Sequence, residues 1–518
     1  MQPTLPAHLL IQNVNVLTMD PNRPFASGVA IADGKIIGIL DKETNWPLSP
    51  QGKIVDGNGL TLMPGLIDAH CHLRAQISQM SALSFSRADI TGIDEMILAI
   101  REKTRTLPNG TWIRGTGYDP FYLKEKRHPT RWDLDQATTH HPIRLRHITR
   151  HASVLNSLAL NMAGLNEFSQ DPPGVKVERQ PDTNIPTGVI YGGDSWLSQH
   201  VIPPITTSEL ENGSGQLQRN LLQRGITAVQ DATPTSSIQD VKFWTARIQE
   251  NKWPITIQLM ASAIQHQQME KHLINETNHQ VRKGLEIGPI KVVLEANPDL
   301  FPAPTELTQI VVNATAKNIP VAIHVVDPEM VWAAVDAIET ARSKFPNNLV
   351  RHRLEHLSLC PDAFLPAISK ARIMVVTNPS FIYQHGDRYL SDVDPTERNW
   401  LYPMNSVLQS KIPLAAGSDA PVAVSDPWMG IQTACTRETL SGMLVNQHEK
   451  LDRYQALSLY TVGAALAAGW QHKRGMIHPQ FEADLILIDQ NPLNCPEREI
   501  NKIQVKKVWI GGNLVFQS

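Results

Sequence analysis

Leu60-Thr61-Leu62-Met63-Pro64-Gly65-Leu66-Ile67-Asp68-Ala69-His70-Cys71-His72 is an apolar run that ends in a carboxylate and two imidazoles. Successive side chains of a strand point to opposite faces, so His70 and His72 share one face and can hold one ion, while Cys71 turns away from them to pack. Seven further segments have the same strand-like texture: Gly225–Gln230, Pro254–Leu259, Ile290–Glu295, Val321–Val325, Val350–His356, Ile373–Thr377 and Pro413–Asp419. Helix-like stretches separate them, which argues for βα units around a parallel sheet. Eight such units predict an α/β fold built on a (β/α)8 TIM-like barrel, whose chemistry sits at the C-terminal ends of the strands.

The two ends of the chain read differently. Leu9–Leu17 and Val29–Ile39 are short strands, with Asp33-Gly34 as a hairpin signal, and Ala483–Asp489 with Val505–Phe516 repeats that texture. We therefore expect residues 1–62 and 471–518 to pair into one small β-sandwich around a barrel at 63–470. The gap between the first and second strand candidates is too long for a single βα crossover. The irregular stretch from about Trp112 to Gly193 is expected to be a subdomain inserted after the first barrel strand, serving as a lid or in substrate binding.

Across 518 residues, 47 Lys plus Arg face 50 Asp plus Glu, so no basic field exists to hold nucleic acid. Hydrophobic residues make up 42 % of the chain and charged residues 19 %, and no apolar run reaches the roughly 18 residues of a membrane span. The N-terminal residues show no export signal, so the cytoplasm is the expected location. Four cysteines without a C-x-x-C pair suit reduced thiols, although the spacing leaves one bridge open. The expected partner is a small-molecule substrate.

Other ligand-type residues recur where later strands end. His324 closes Val321–His324, His356 closes Arg353–His356, and Asp419 follows Ala415-Ala416-Gly417-Ser418. Each alone is more often structural. Together they put imidazoles and a carboxylate around one barrel mouth, a set that suits a zinc-like ion with an open position.

With these residues in view, the chain resembles the metal-dependent amidohydrolase superfamily, through Pro64–His72 and through Gly475-Met476-Ile477-His478-Pro479-Gln480-Phe481-Glu482-Ala483-Asp484-Leu485-Ile486-Leu487-Ile488-Asp489. His352-Arg353-Leu354-Glu355-His356, Gly417-Ser418-Asp419-Ala420-Pro421-Val422 and Asp426-Pro427-Trp428 make it similar to the amidohydrolase 3 group of YtcJ-type hydrolases. The resemblance implies that His70, His72 and Asp419 bind a more buried Zn2+, that His324 and His356 bind a more exposed one, and that Lys291 bridges the two after carbamylation. A free ammonium has no lone pair and repels a cation, so carbamylation is what makes Lys291 a ligand. Glu295, four residues on and on the same face, is then a second contact to metal or substrate. His147 and His151 correspond to stretches that line the site in relatives, and Arg388, placed on the loop after the seventh strand, is available to a substrate anion. A homodimer is compatible with the resemblance.

The implied chemistry is hydrolysis of a non-peptide C–N bond in an amide, N-acyl compound, cyclic amide or carbamate, with Asp419 as proton shuttle. Two other readings stay open. One is deamination of a heterocycle at a single metal, which needs an acid near His324, such as Asp327. The other is a binding protein on the same fold. Where relatives carry an Asp-Gly after the lysine strand, a Gly-Asp after the fifth-strand His and a Gly before the inserted His, this chain has Glu295-Ala296, Val326-Asp327 and Arg150-His151. No relative's substrate transfers across such changes.

Overall fold

A computed structural model describes residues 5–41, 46–85, 89–149, 151–172, 174–203, 205–274, 284–296 and 299–518. Arg150 and the first four residues, part of the expectations above, lie outside the described residues. The chain divides into two compact units, Met1–His72 with Gln218–Ser518, and Leu73–Leu217.

The first unit contains the barrel. Its strands are β1 (Leu66–Cys71), β2 (Ile226–Asp231), β3 (Thr256–Ala261), β4 (Leu285–Val293), β5 (Val321–Val325), β6 (Arg353–His356), β7 (Met374–Thr377) and β8 (Leu414–Ala416). They lie in one eight-stranded sheet in sequential order, each pair of neighbours parallel. Every residue of β2, β3, β6, β7 and β8 is buried, as strands covered on both faces must be. Ile67, Ala69, Ala228, Met374, Val376 and Ala415 pack with Ala464, Ala465 and Trp470. The alternate residues on the same strands, Asp68 and His70 among them, point to the other face. The ring is drawn together at its mouth by two backbone bonds, Asp419 N–H to the His70 carbonyl at 2.6 Å and His72 N–H to the Ala420 carbonyl at 2.9 Å. Gly417 makes that approach possible: a Cβ there would lie 2.3 Å from the His70 nitrogen.

Both chain ends join in a second eight-stranded sheet, in which Leu485–Ile488 runs antiparallel to Thr61–Pro64 and the latter pairs with Ala7–Leu17. Leu9, Ile11, Val16, Ile31, Leu62, Leu485, Leu487 and Trp509 form its core. Asp33 and Gly34, with φ of 50° and 77°, make the tight turn between Phe25–Ala32 and Lys35–Leu40 that their sequence announces.

The second unit is more regular than the sequence reading allowed, and wider than 112–193. It holds a six-stranded sheet of Leu83–Ser84, Ile113–Tyr118, Ile143–His147, Ala152–Leu155, Lys176–Arg179 and Pro186–Tyr191. Phe85, Ile97, Ile100, Leu145 and Val154 build one of its cores. Short strands between Gly, Pro and Trp carry little periodicity, which is why this sheet reads as irregular sequence. All four cysteines, Cys71, Cys360, Cys435 and Cys495, are free and buried. No helix among the described residues is long and apolar enough to cross a membrane.

Candidate active site

The C-terminal ends of the barrel strands bring His70, His72, His324, His356, Lys291 and Asp419 into one neighbourhood. The His356 ring lies 4.8 Å from that of His70 and 4.7 Å from that of His324, centroid to centroid, and His70 lies 5.4 Å from His72. Among the described residues, one set of three has ligand atoms all within 4.8 Å of one another: His70, His356 and Asp419. This set joins residues that the family resemblance divides between two ions.

The imidazoles are aimed. His356 Nδ1 donates to Asn378 Oδ1 at 2.6 Å, and the Asn378 amide in turn donates to the Gly417 carbonyl at 2.9 Å. His72 Nδ1 meets the Thr233 hydroxyl at 3.0 Å, and His70 Nδ1 meets the Glu355 carboxylate. With Nδ1 engaged outward, the Nε2 atoms of His72 and His70 lie 2.9 and 3.3 Å from one oxygen, Oδ1 of Asp419. The backbone at His356 and Asp419 is left-handed, with φ of 73° and 55°. Such conformations cost energy in residues other than glycine, and they cluster where a side chain must be re-aimed.

Charge is tightly organised. Burial opposes ionisation of Asp419, but hydrogen bonds from His70 and His72 and the charge of His70 hold its carboxyl well below the usual carboxylate range. Burial, reinforced by the neighbouring His70 and Lys291 charges, pushes His356 down to about 3, leaving a neutral ring with a lone pair. Burial also pushes Lys291 down to about 8 against the pull of Glu355 and Asp419. Its Nζ is buried and has no hydrogen-bond partner among the described residues. The neutral His356 ring, the His70 and His72 nitrogens that converge on the Asp419 carboxylate, and a buried amine without a hydrogen-bond partner fit a divalent ion.

Asp68, quoted in the opening motif but given no role, accepts Ser418 N–H at 2.9 Å, Ser418 Oγ at 2.6 Å and Ser425 Oγ at 3.2 Å, and so fixes the turn that carries Asp419. Glu355, Asn378 and Thr233 were likewise missed. For Glu355 a signal existed: Arg353 and Glu355 share one face of a strand buried on both sides, and charges there need partners.

Glu295 and Arg388 lie on other elements than expected. Glu295 does not continue the fourth strand: pairing with β5 ends at Val293 and His324, and Glu295 lies exposed in a small ladder with Phe301. Arg388 lies on a helix, Ser380–Asp392, and its Nε bonds Asp392 at 2.9 Å. Asp327, the acid near His324, caps the helix Pro328–Lys344 through Met330 N–H at 3.0 Å. His147 and His151 belong to the second unit. His147 is buried at the end of Ile143–His147, with Nδ1 2.8 Å from Thr149 Oγ1 and Nε2 3.6 Å from Asp119 Oδ1, whereas His151 is exposed.

Comparison with known proteins gives this geometry a family. The amidohydrolase family model matches residues 53–516. An N-substituted formamide deformylase of Arthrobacter pascens is 25% identical over 98% of this chain and 98% of its own. A putative amidohydrolase, YtcJ, of Bacillus subtilis is 23% identical over 90% of this chain and 91% of its own. The crystal structure of an uncharacterized metal-dependent hydrolase from Pyrococcus horikoshii superposes with a TM-score of 0.73 at 22% identity, covering 95% of this chain and 99% of that one. The chain belongs to the amidohydrolase family and is a hydrolase that acts on carbon–nitrogen bonds.

Proposed function

We propose that the protein hydrolyses a non-peptide carbon–nitrogen bond in a small amide, N-acyl compound, cyclic amide or carbamate, at a divalent-ion site held by His70, His72, His356 and Asp419, with His324 and Lys291 at its edge. The observation that carries this reading is the convergence of His70, His356 and Asp419 at the barrel mouth. Three or more N and O donors with an open side suit zinc. A bound divalent ion supplies Lewis acidity, making water nucleophilic near neutral pH and polarising the carbonyl.

The chain's own groups do the rest. Asp419 is ionised and sits at the point where the imidazoles converge, so its carboxylate takes a proton from the attacking water. It returns that proton to the leaving nitrogen, since an amine departs poorly without one. Lys291, lowered to about 8, is part neutral in mildly alkaline solution. The neutral amine can then add to CO2 and release one proton to solvent as the carbamate anion forms, so that the whole change from ammonium to carbamate releases two protons. Incorporation of 13C-bicarbonate into a lysine carbamate resonance, lost in Lys291→Ala, tests that step.

The name of the Arthrobacter relative puts N-substituted formamides first among substrates to screen. Zinc-loaded protein incubated with formamides, other N-acyl amines, cyclic amides, carbamates and aminated heterocycles should release an amine from the formamides, N-acyl amines or carbamates, or open a cyclic amide to its amino acid. Ammonia from heterocycles alone, or no turnover in any class, would contradict the proposal.

A further inference from the structure

Three histidines of the site carry three different groups on Nδ1: a carboxylate on His70, an amide oxygen on His356 and a hydroxyl on His72. The acceptor behind an imidazole sets both its orientation and the electron density at its other nitrogen, and a carboxylate does most. Glu355 is fully buried and reaches His70 across the barrel from β6 to β1.

It cannot swing away. Arg353 Nη2 donates to Glu355 Oε2 at 2.9 Å while its Nε holds the other carboxylate oxygen. The guanidinium is pinned in turn by the Ala69 carbonyl at 2.7 Å and by the Gln230 side-chain oxygen, and the Gln230 amide donates to the Ala464 carbonyl at 3.1 Å. Four parts of the barrel unit therefore contribute to holding one carboxylate against one ring nitrogen. A buried ion pair is a poor source of stability compared with apolar packing, so a network of this extent points to a task beyond stability.

Resting on the metal reading above, we infer that Glu355, locked by Arg353, is the positioning residue that keeps His70 protonated on Nδ1 and presents Nε2 to a divalent ion, and that the three Nδ1 partners form a graded series in which Glu355 contributes most to ion affinity, Asn378 less and Thr233 least. The grading follows acceptor strength. Asn378 can only accept from His356, because its own amide is engaged by Gly417, whereas the Thr233 hydroxyl can act as donor or acceptor and so fixes no tautomer.

The test is chelator competition for Zn2+ with wild type, Glu355→Gln, Asn378→Leu and Thr233→Val, with the circular dichroism of each apoprotein recorded beside it. Glu355→Gln should weaken zinc binding about 10- to 100-fold, Asn378→Leu less and Thr233→Val least. A Glu355→Gln protein that folds and binds as tightly as wild type, or a reversed order, overturns the inference alone. A wild type that takes up no zinc overturns the metal reading and the inference together. Should Glu355→Gln not fold, the tautomer decides: in zinc-loaded, 15N-histidine-labelled wild type, the resonance missing from His70→Gln should belong to an Nδ1–H ring, and an Nε2–H ring contradicts the assignment.

Discussion

His352 and His356 stand at opposite ends of one barrel strand, both buried and both held neutral, yet only one faces the candidate site. At the lower end, His352 Nδ1 accepts Val321 N–H at 3.1 Å and Nε2 meets Thr315 Oγ1 at 3.0 Å. The Thr315 hydroxyl hydrogen already goes to the Val311 carbonyl at 2.7 Å, so it accepts from the ring and both nitrogens are engaged. At the mouth, His356 engages only Nδ1 with a backing group, and its other side faces His70 and Asp419. Burial and a depressed pKa therefore do not mark a functional histidine. What marks it is a nitrogen left over after the fold has been satisfied, aimed where other such atoms converge.

The largest expected effect breaks the mouth at its focus. Asp419→Asn, compared with wild type per bound ion because Asp419 also helps to hold the ion, should lower kcat by about 10²- to 10⁴-fold with little change in KM, since the lost group moves a proton and does not bind substrate. Near-normal turnover would remove Asp419 from that role. Next, His356→Asn should strip most of the bound ion while His352→Asn keeps it, as read by elemental mass spectrometry of the two purified proteins. Equal ion loss in both would erase the distinction between the two ends.

The lower end should declare itself through pH. Burial, helped by Arg342, pushes His352 down to about 4 from the ordinary 6.5. The folded state then binds fewer protons than the unfolded state between those values, so this contribution is fully present above about pH 6.5 and lost as pH falls towards 4. It amounts to roughly 3 kcal/mol. Urea unfolding of wild type should show that slope, and His352→Asn should flatten it. An unchanged slope in the variant would remove His352 as its source.

Gly417→Ala sets packing against chemistry. A new Cβ 2.3 Å from the His70 nitrogen should cost about 1–3 kcal/mol in thermal or denaturant stability and reduce ion uptake. The smallest effect belongs to the inserted unit: His147, engaged by Thr149 and facing Asp119, should be replaceable by Ala with ion content unchanged. Ion loss there would extend the metal site to a histidine that the account leaves out.

Much of this was legible in the sequence where one residue type meets one period. The eight strands, the same-face pair His70 and His72, and Asp419 after the last strand could all be read from alternation and position. What could not be read depends on distance through space. Glu355 meets a ring 285 residues away, and no local pattern carries that pairing. Arg388, expected on a loop, lies on a helix that contains Gly386. The glycine is there for close packing, since a Cβ at Gly386 would lie 2.6 Å from Thr439 Cγ2, and the helix runs through it. Glu295 was placed on a strand because β-type residues precede it, but a strand ends where its neighbour stops offering bonds, at His324.

The most direct test of the account is the metal content of wild-type protein purified without chelator, measured together with His70→Asn and His356→Asn. The account predicts at least one zinc-like ion per chain in wild type and substantially less in each variant. A wild type that holds no divalent ion, and takes none up when Zn2+ and bicarbonate are added, would contradict it.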